Sequence, residues 1–249
     1  MPAVIVARMV SKSFRLPHEH RTTFKEHFLH PLQQIDYEQN DALSEISFEV
    51  ERGEFFGVIG PNGSGKSTLL KIMAGIYQPG GGELRVDGKL SPFIELGVGF
   101  NPALSARDNV RINATLLGLS KAELDQRYET IVEFSELERF MDQKLKNFSS
   151  GMQVRLAYSI AIQAAFDILL LDEVLAVGDQ AFQEKCFATF DGFRAEGKTV
   201  VFVSHDLKSV KRYCDRVMLL EYGRLAAIGA PDEIVERYEA APQTPRVAV

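Results

Sequence analysis

Residues Gly60-Pro61-Asn62-Gly63-Ser64-Gly65-Lys66-Ser67 match the pattern GxxxxGK[ST] in full, and few chain segments dictate their surroundings so strictly. The loop follows the apolar run Phe55 to Ile59 and leads into a helical run from Thr68 to Ala74. Glycines at these spacings let successive backbone N–H groups turn inward around a polyphosphate, and the helix adds the positive end of its dipole. Lys66 is placed to reach the β- and γ-phosphates. The Ser67 hydroxyl is placed to ligate Mg²⁺, and Thr68 completes the nucleotide-binding set.

Such a loop needs a strand before it and a sheet around it. Short apolar runs rich in β-branched residues supply candidates at Val4 to Val6, Ile46 to Val50, Phe55 to Ile59, Ile168 to Leu171, Val200 to Val203 and Val217 to Leu220. Runs such as Phe55 to Ile59, apolar throughout, suit strands of a parallel sheet covered on both faces. The class is α/β. From Ala103 to Ala165 the pattern is helical instead. The stretch Lys121 to Phe140 is charged on one side and apolar at Leu124, Tyr128, Ile131, Val132 and Phe134. We expect one domain over residues 1–240, with an α/β core at about 1–100 and 166–230, a helical subdomain at about 101–165 and a flexible tail at 241–249.

The balance of 28 Lys and Arg against 34 Asp and Glu, a formal charge of -6, argues against a general nucleic-acid binder, so no nucleic-acid partner is expected. The two cysteines, Cys186 and Cys214, form neither a CxxC pair nor a secreted framework, which fits a reducing compartment. No apolar run approaches the length of about 18 residues needed to span a membrane. The first residues, MPAVIVARMV, lack a charged leader and read as a strand.

Ile168 to Leu171 ends in two carboxylates, Asp172 and Glu173. Ligands of parallel sheets sit beyond the carboxyl ends of strands. Asp172 would hold Mg²⁺, directly or through water. Glu173 would accept the proton of a water aimed in line with the γ-phosphate.

Further motifs carry a resemblance. Ser149-Ser150-Gly151-Met152-Gln153 opens the helical run Val154 to Ala165 and resembles the signature of ATP-binding cassette proteins, usually LSGGQ. Met152 is read there in place of the second glycine. Ala176-Val177-Gly178-Asp179 resembles that family's D-loop, and His205 its switch histidine. The order of these motifs matches the family across most of the chain, and no NKxD motif of guanine-nucleotide switches occurs. The resemblance implies a P-loop ATPase core with an inserted α-helical subdomain. It further implies a head-to-tail dimer with a second copy of the chain, with each ATP between the phosphate loop of one subunit and the signature of the other. Glu173, His205 and Lys66 are then the catalytic set.

The segments DEVLAVGDQAFQEKC (Asp172 to Cys186) and VRLAYSIA after Gln153 resemble ATPases of O-antigen, capsule and teichoic-acid exporters. That resemblance implies a six-helix membrane permease as partner, a lipid-linked glycan as cargo and a place on the cytoplasmic face of the membrane. An exporter ATPase for a small molecule or lipid is the alternative. A soluble ATP-driven clamp is disfavoured by the lack of a long coiled coil and of a second module. Glu95-Leu96-Gly97-Val98-Gly99-Phe100 stands where most cassettes carry a glutamine loop. Glu95 approaches Mg²⁺, or the segment serves mainly to contact the permease, or it is an ordinary loop.

Two features stay open. Four of the five histidines lie between His18 and His30, in no metal-ligand spacing. A Thr23–Glu26 capping box with Phe24, Phe28, Leu29 and Leu32 reads instead as a short amphipathic insert at about 18–35, lying at the membrane or permease or on the protein's own core. Phe14 stands where cassettes place an aromatic that stacks on adenine, and Tyr37 is the other candidate for that contact.

Overall fold

Every residue of Phe55–Ile59 and of Thr199–Val203 is buried. A strand with no polar face needs cover on both sides, and the computed structural model shows where it comes from. The structure describes residues 2–17, 37–93, 99–172 and 180–240, without the side chains of Leu16, Pro17, Tyr37 and Glu38. The proposed insert at 18–35 with its histidines, Glu95, Glu173, Asp179 and the tail at 241–249 lie outside the described residues, as does the Tyr37 side chain.

The first half of the chain holds β1 (Ala3–Pro17), β2 (Tyr37–Glu51), β3 (Phe55–Ile59), α1 (Lys66–Met73), β4 (Gly81–Val86) and β5 (Leu90–Phe93). Next come α2 (Ala106–Leu116), α3 (Lys121–Ser135), two single 3₁₀ turns and α4 (Ser150–Ala161). The remainder is β6 (Ile168–Asp172), α5 (Gln180–Ala195), β7 (Thr199–Val203), α6 (Leu207–Tyr213), β8 (Arg216–Glu221), β9 (Arg224–Gly229) and α7 (Pro231–Ala240). A six-stranded sheet has the order β5-β6-β7-β3-β8-β9, parallel except for β9. A three-stranded antiparallel sheet has the order β2-β1-β4.

Alternation along the central strands sorts the core into two layers. Phe55, Leu169, Leu171, Val200, Phe202 and Val217 face a layer closed by Tyr158 of α4, Phe182 and Phe190 of α5, Val210 of α6 and Ile234 of α7. Phe56, Val58, Ile168, Leu170, Val201 and Met218 face Leu69 and Leu70 of α1 and the inner side of the small sheet, including Ile5, Val10 and Ile46. Each fully buried side chain of this size contributes about 1.5–3 kcal/mol.

A third cluster joins α2, α3 and α4 through Val110, Ala114, Leu124, Ile131, Leu156 and Ile160. The helix α3 starts with a reciprocal cap. Ser120 Oγ accepts from the Glu123 N–H at 3.3 Å, and the Glu123 carboxylate accepts from the Ser120 N–H at 2.8 Å. It ends five residues before Phe140, because Glu136 turns into the left-handed region at φ 59°. Among the described residues no helix is long and apolar enough to cross a membrane.

Candidate active site

The phosphate loop leaves β3 at Gly60 and is packed from two sides. A Cβ on Gly60 would lie 2.0 Å from the Leu220 carbonyl of β8. A Cβ on Gly65, at φ 100°, would lie 2.5 Å from the Ala42 carbonyl of β2. Both positions therefore need glycine because neighbouring backbone occupies the space. Gly63 differs: at φ 76° it has nothing among the described residues within 4 Å of an added Cβ, and its backbone conformation favours glycine. The turn between β8 and β9 braces the loop from behind. The Gly223 N–H donates to the Ser64 carbonyl at 3.0 Å, and the Gly223 carbonyl accepts from the Ser44 N–H at 2.7 Å.

Inside this frame Lys66 is buried, and its Nζ donates to the carbonyls of Gly60 at 2.8 Å and Pro61 at 3.0 Å. The ammonium thus sits across the loop mouth, where carbonyl oxygens offset part of its desolvation. Ser64 is buried, and its Oγ has no hydrogen-bond partner among the described groups. Asn62, Gly63 and Ser67 are exposed, and Thr68 is half-buried. Gly65 is the N-cap of α1, no side chain caps that helix, and its first turn carries no acidic residue. Its first N–H groups and positive dipole end are left for an anion.

Strand register brings the other candidates to the same edge. Asp172 pairs with Val203 on β7, and Val203 pairs with Val58 on β3, one residue from the end of that strand. The half-buried Asp172 carboxylate and the exposed His205, two residues beyond Val203, lie at the strand ends from which the loop also departs. Backbone order fixes His205 there. Ser204 Oγ accepts from the Asp206 N–H at 3.0 Å, and Asp206 caps α6 by accepting from the Lys208 N–H at 3.1 Å. Ser67 hydroxyl and Asp172 carboxylate are hard oxygen donors, which suit Mg²⁺.

The signature residues open α4. Ser149 is its N-cap, its Oγ accepting from the Met152 N–H at 3.2 Å. Ser150 is exposed in the first turn, and Gln153 donates to the Phe148 carbonyl at 3.4 Å. A Cβ on Gly151 would meet only the Ser149 hydroxyl, at 3.9 Å. Among the described residues no packing demands a glycine there. Met152 packs against the α2–α3–α4 cluster, which accommodates the side chain that stands in the signature.

Phe14 is half-buried on β1, with its ring edge-on to Tyr77 at 5.5 Å. Lys12 Nζ lies 5.5 Å from the Phe14 centroid and 5.7 Å from that of Tyr77, and donates to the Gln78 carbonyl at 2.8 Å. Lys71 of α1 lies 5.7 Å from the Tyr77 centroid. Sequence reasoning missed Lys12, Lys71 and Tyr77 as parts of this aromatic and cationic corner. Its signal was an aromatic four residues past the α1 helix.

Comparison with known proteins accords with this arrangement. The family described as ABC transporter matches residues 43–176. The O-antigen export system ATP-binding protein RfbB of Klebsiella pneumoniae is 43% identical over 244 residues, covering 97% of this chain and 99% of the relative. The teichoic acids export ATP-binding protein TagH of Enterococcus faecalis is 44% identical over 199 residues, 80% of this chain and 44% of TagH. A bacterial ABC transporter cassette solved as a dimer superposes with a TM-score of 0.74 at 25% identity, covering 91% of this chain and 98% of that one. With the family matched over more than half of its length and a relative matched from end to end, this chain belongs to the ABC transporter family and is an ATP-binding, ATP-hydrolysing subunit of it.

Proposed function

We propose that this subunit powers export of a lipid-linked polysaccharide through a membrane permease, acting from the cytoplasmic face as a head-to-tail pair of copies. The observation that carries this reading is the match to the O-antigen export ATP-binding protein along 97% of this chain and 99% of that relative. The TagH match supports the wider class of lipid-linked cell-surface glycans.

In this reading the α1 N-terminus and the loop N–H groups hold the ATP phosphates, and Lys66 leaves its loop carbonyls for the β- and γ-phosphates. Ser67 and Asp172 would hold Mg²⁺, which neutralises charge on the phosphate oxygens when bound. Glu173 takes the proton of the attacking water, and His205 steadies the γ-phosphate. Phe14 stacks on the adenine ring. Ser149 to Gln153 of one copy close over the loop of the other, with Gly151 admitting the phosphate. Register supports this division, since Asp172, His205 and the loop leave adjacent strands at one edge. Release of phosphate and ADP reopens the pair, and the permease converts that motion into transport.

Two measurements test the proposal. Glu173→Gln should keep ATP binding and lose about a hundredfold or more of turnover; wild-type hydrolysis in this variant overturns the general-base role. A pull-down of the tagged chain from gently solubilised native membranes should recover a permease, with undecaprenyl-type glycolipid accumulating on depletion. A permease whose depletion leaves that glycolipid unchanged overturns the cargo.

A further inference from the structure

The end of α3 carries a cluster that the phosphate chemistry does not use. Glu136 is a non-glycine residue in the left-handed region, at φ 59° and ψ 33°, a conformation that crowds a Cβ against the following carbonyl. The turn sends its two carboxylate oxygens to different helices. Oε2 meets Arg155 Nη1 of α4 at 2.9 Å, and Oε1 meets Lys185 Nζ of α5 at 3.0 Å. Each cation is tied again. The Arg155 guanidinium lies 4.7 Å from the Phe182 centroid of α5. Lys185 Nζ lies 4.7 Å from the Phe134 centroid of α3 and donates to the Phe134 carbonyl at 2.9 Å. Beneath them the rings of Phe134, Tyr158 and Phe182 pack together, with Phe134 6.0 Å from Tyr158 and 5.9 Å from Phe182.

The location gives the cluster its meaning. Arg155 lies on the helix that Ser149 caps, so it rides with the signature. Lys185 lies on α5, which starts at Gln180 directly after the segment holding Glu173 and Asp179. One carboxylate therefore bridges the helix of the signature to the helix that continues from the acidic strand end. A lone exposed ion pair holds little. Here the Arg155 side chain is only 16% exposed, both cations also lie over rings, and one carboxylate serves both, so the contacts reinforce one another.

We propose that Glu136 is a positioning residue for ATP turnover, joining Arg155 of α4 to Lys185 of α5 so that the signature helix and α5 move as one. The inference rests on the proposed roles of the signature and Glu173. It adds a coupling, within a single copy, between α4, which the signature opens, and α5, which follows the acidic strand end in the sequence.

The test compares Glu136→Gln, Lys185→Met and the double variant in the full chain. Expected are a slightly lowered melting temperature, ATP affinity of the isolated subunit unchanged and kcat lowered about fivefold with KM steady. The double variant should be no worse than the worse single, because both remove one tie. In the Glu173→Gln background, ATP-driven self-association followed by sedimentation should weaken with Glu136→Gln. Wild-type kcat in both singles overturns the proposal. So does a loss of kcat that tracks a loss of ATP affinity and folding. Full turnover in Glu173→Gln alone would remove the underlying reading, whereas an inactive Glu173→Gln beside fully active Glu136 and Lys185 variants removes the positioning role only.

Discussion

Gly63 and Gly65 stand two residues apart in one loop and answer to different constraints. The Gly65 Cα faces the Ala42 carbonyl and Leu43, whereas Gly63 faces none of the described residues. Gly63→Ala should therefore cost only its backbone strain, about 1–2 kcal/mol. Gly65→Ala adds a backbone collision and should cost more than about 3 kcal/mol together with ATP binding. Urea unfolding of the two variants with an ATP titration checks the order; equal costs would show that the loop is not clamped between β2 and β8. The same scale explains Met152. Read along the chain, its side chain intrudes where a glycine was expected, yet the first turn of α4 aims it into the helical cluster. Phe14 stood out as an aromatic, but Tyr77, whose ring meets it, and Lys71, which lies over Tyr77, come from a loop and helix far along the chain.

Elements were legible where their burial pattern was one-sided or complete. The central strands show it, since apolar residues on both faces leave no other solution for so short a run. The strands β4, β5 and β9 escaped notice. Every residue of β4 and β9 is exposed or half-buried, and each strand offers only a few apolar side chains, such as Leu84 and Val86 on β4, too short a run to stand out. In β5, Pro92 argues against a strand, yet β5 is an edge strand, where a missing N–H does no harm. Helix ends depend on single residues. The pattern of α3 runs on to Phe140, but the left-handed Glu136 stops it, and the Phe140 ring packs on Phe148 at 6.3 Å instead. At the other end the Ser120–Glu123 cap satisfies two N–H groups. Ser120→Ala should lower stability by about 1 kcal/mol in urea unfolding, with ATP binding unaffected; an unchanged midpoint would mean that the cap is replaced by water at no cost.

At the scale of the molecule, Glu136 links stability to pH. Its hydrogen bond from Lys185, with Arg155 adding to it, holds the carboxyl below its ordinary value of 4.5. A lowered carboxyl contributes fully above the unfolded value and loses that contribution as the pH falls toward the lowered one. The side chain is 52% exposed, so solvent screening keeps the contribution small. Calorimetry should show the melting-temperature gap between wild type and Glu136→Gln at neutral pH closing below pH 4.5; a gap that persists in acid would assign the effect to packing alone.

The sequence by itself determined the phosphate loop motif and the acidic strand end, because each is written in contiguous residues whose backbone needs are local, and the α/β class and the family, because several such local signals recur in order along the chain. Tertiary structure alone decided that β7 lies between β6 and β3, which aligns Asp172, Val203 and Val58. It also decided that Gly60 and Gly65 are pressed by β8 and β2, and that Glu136 reaches Lys185 across 49 positions of chain. Any apolar strand of this chain offers the same two faces to any neighbour. The choice among neighbours is made only when all the faces are buried at once.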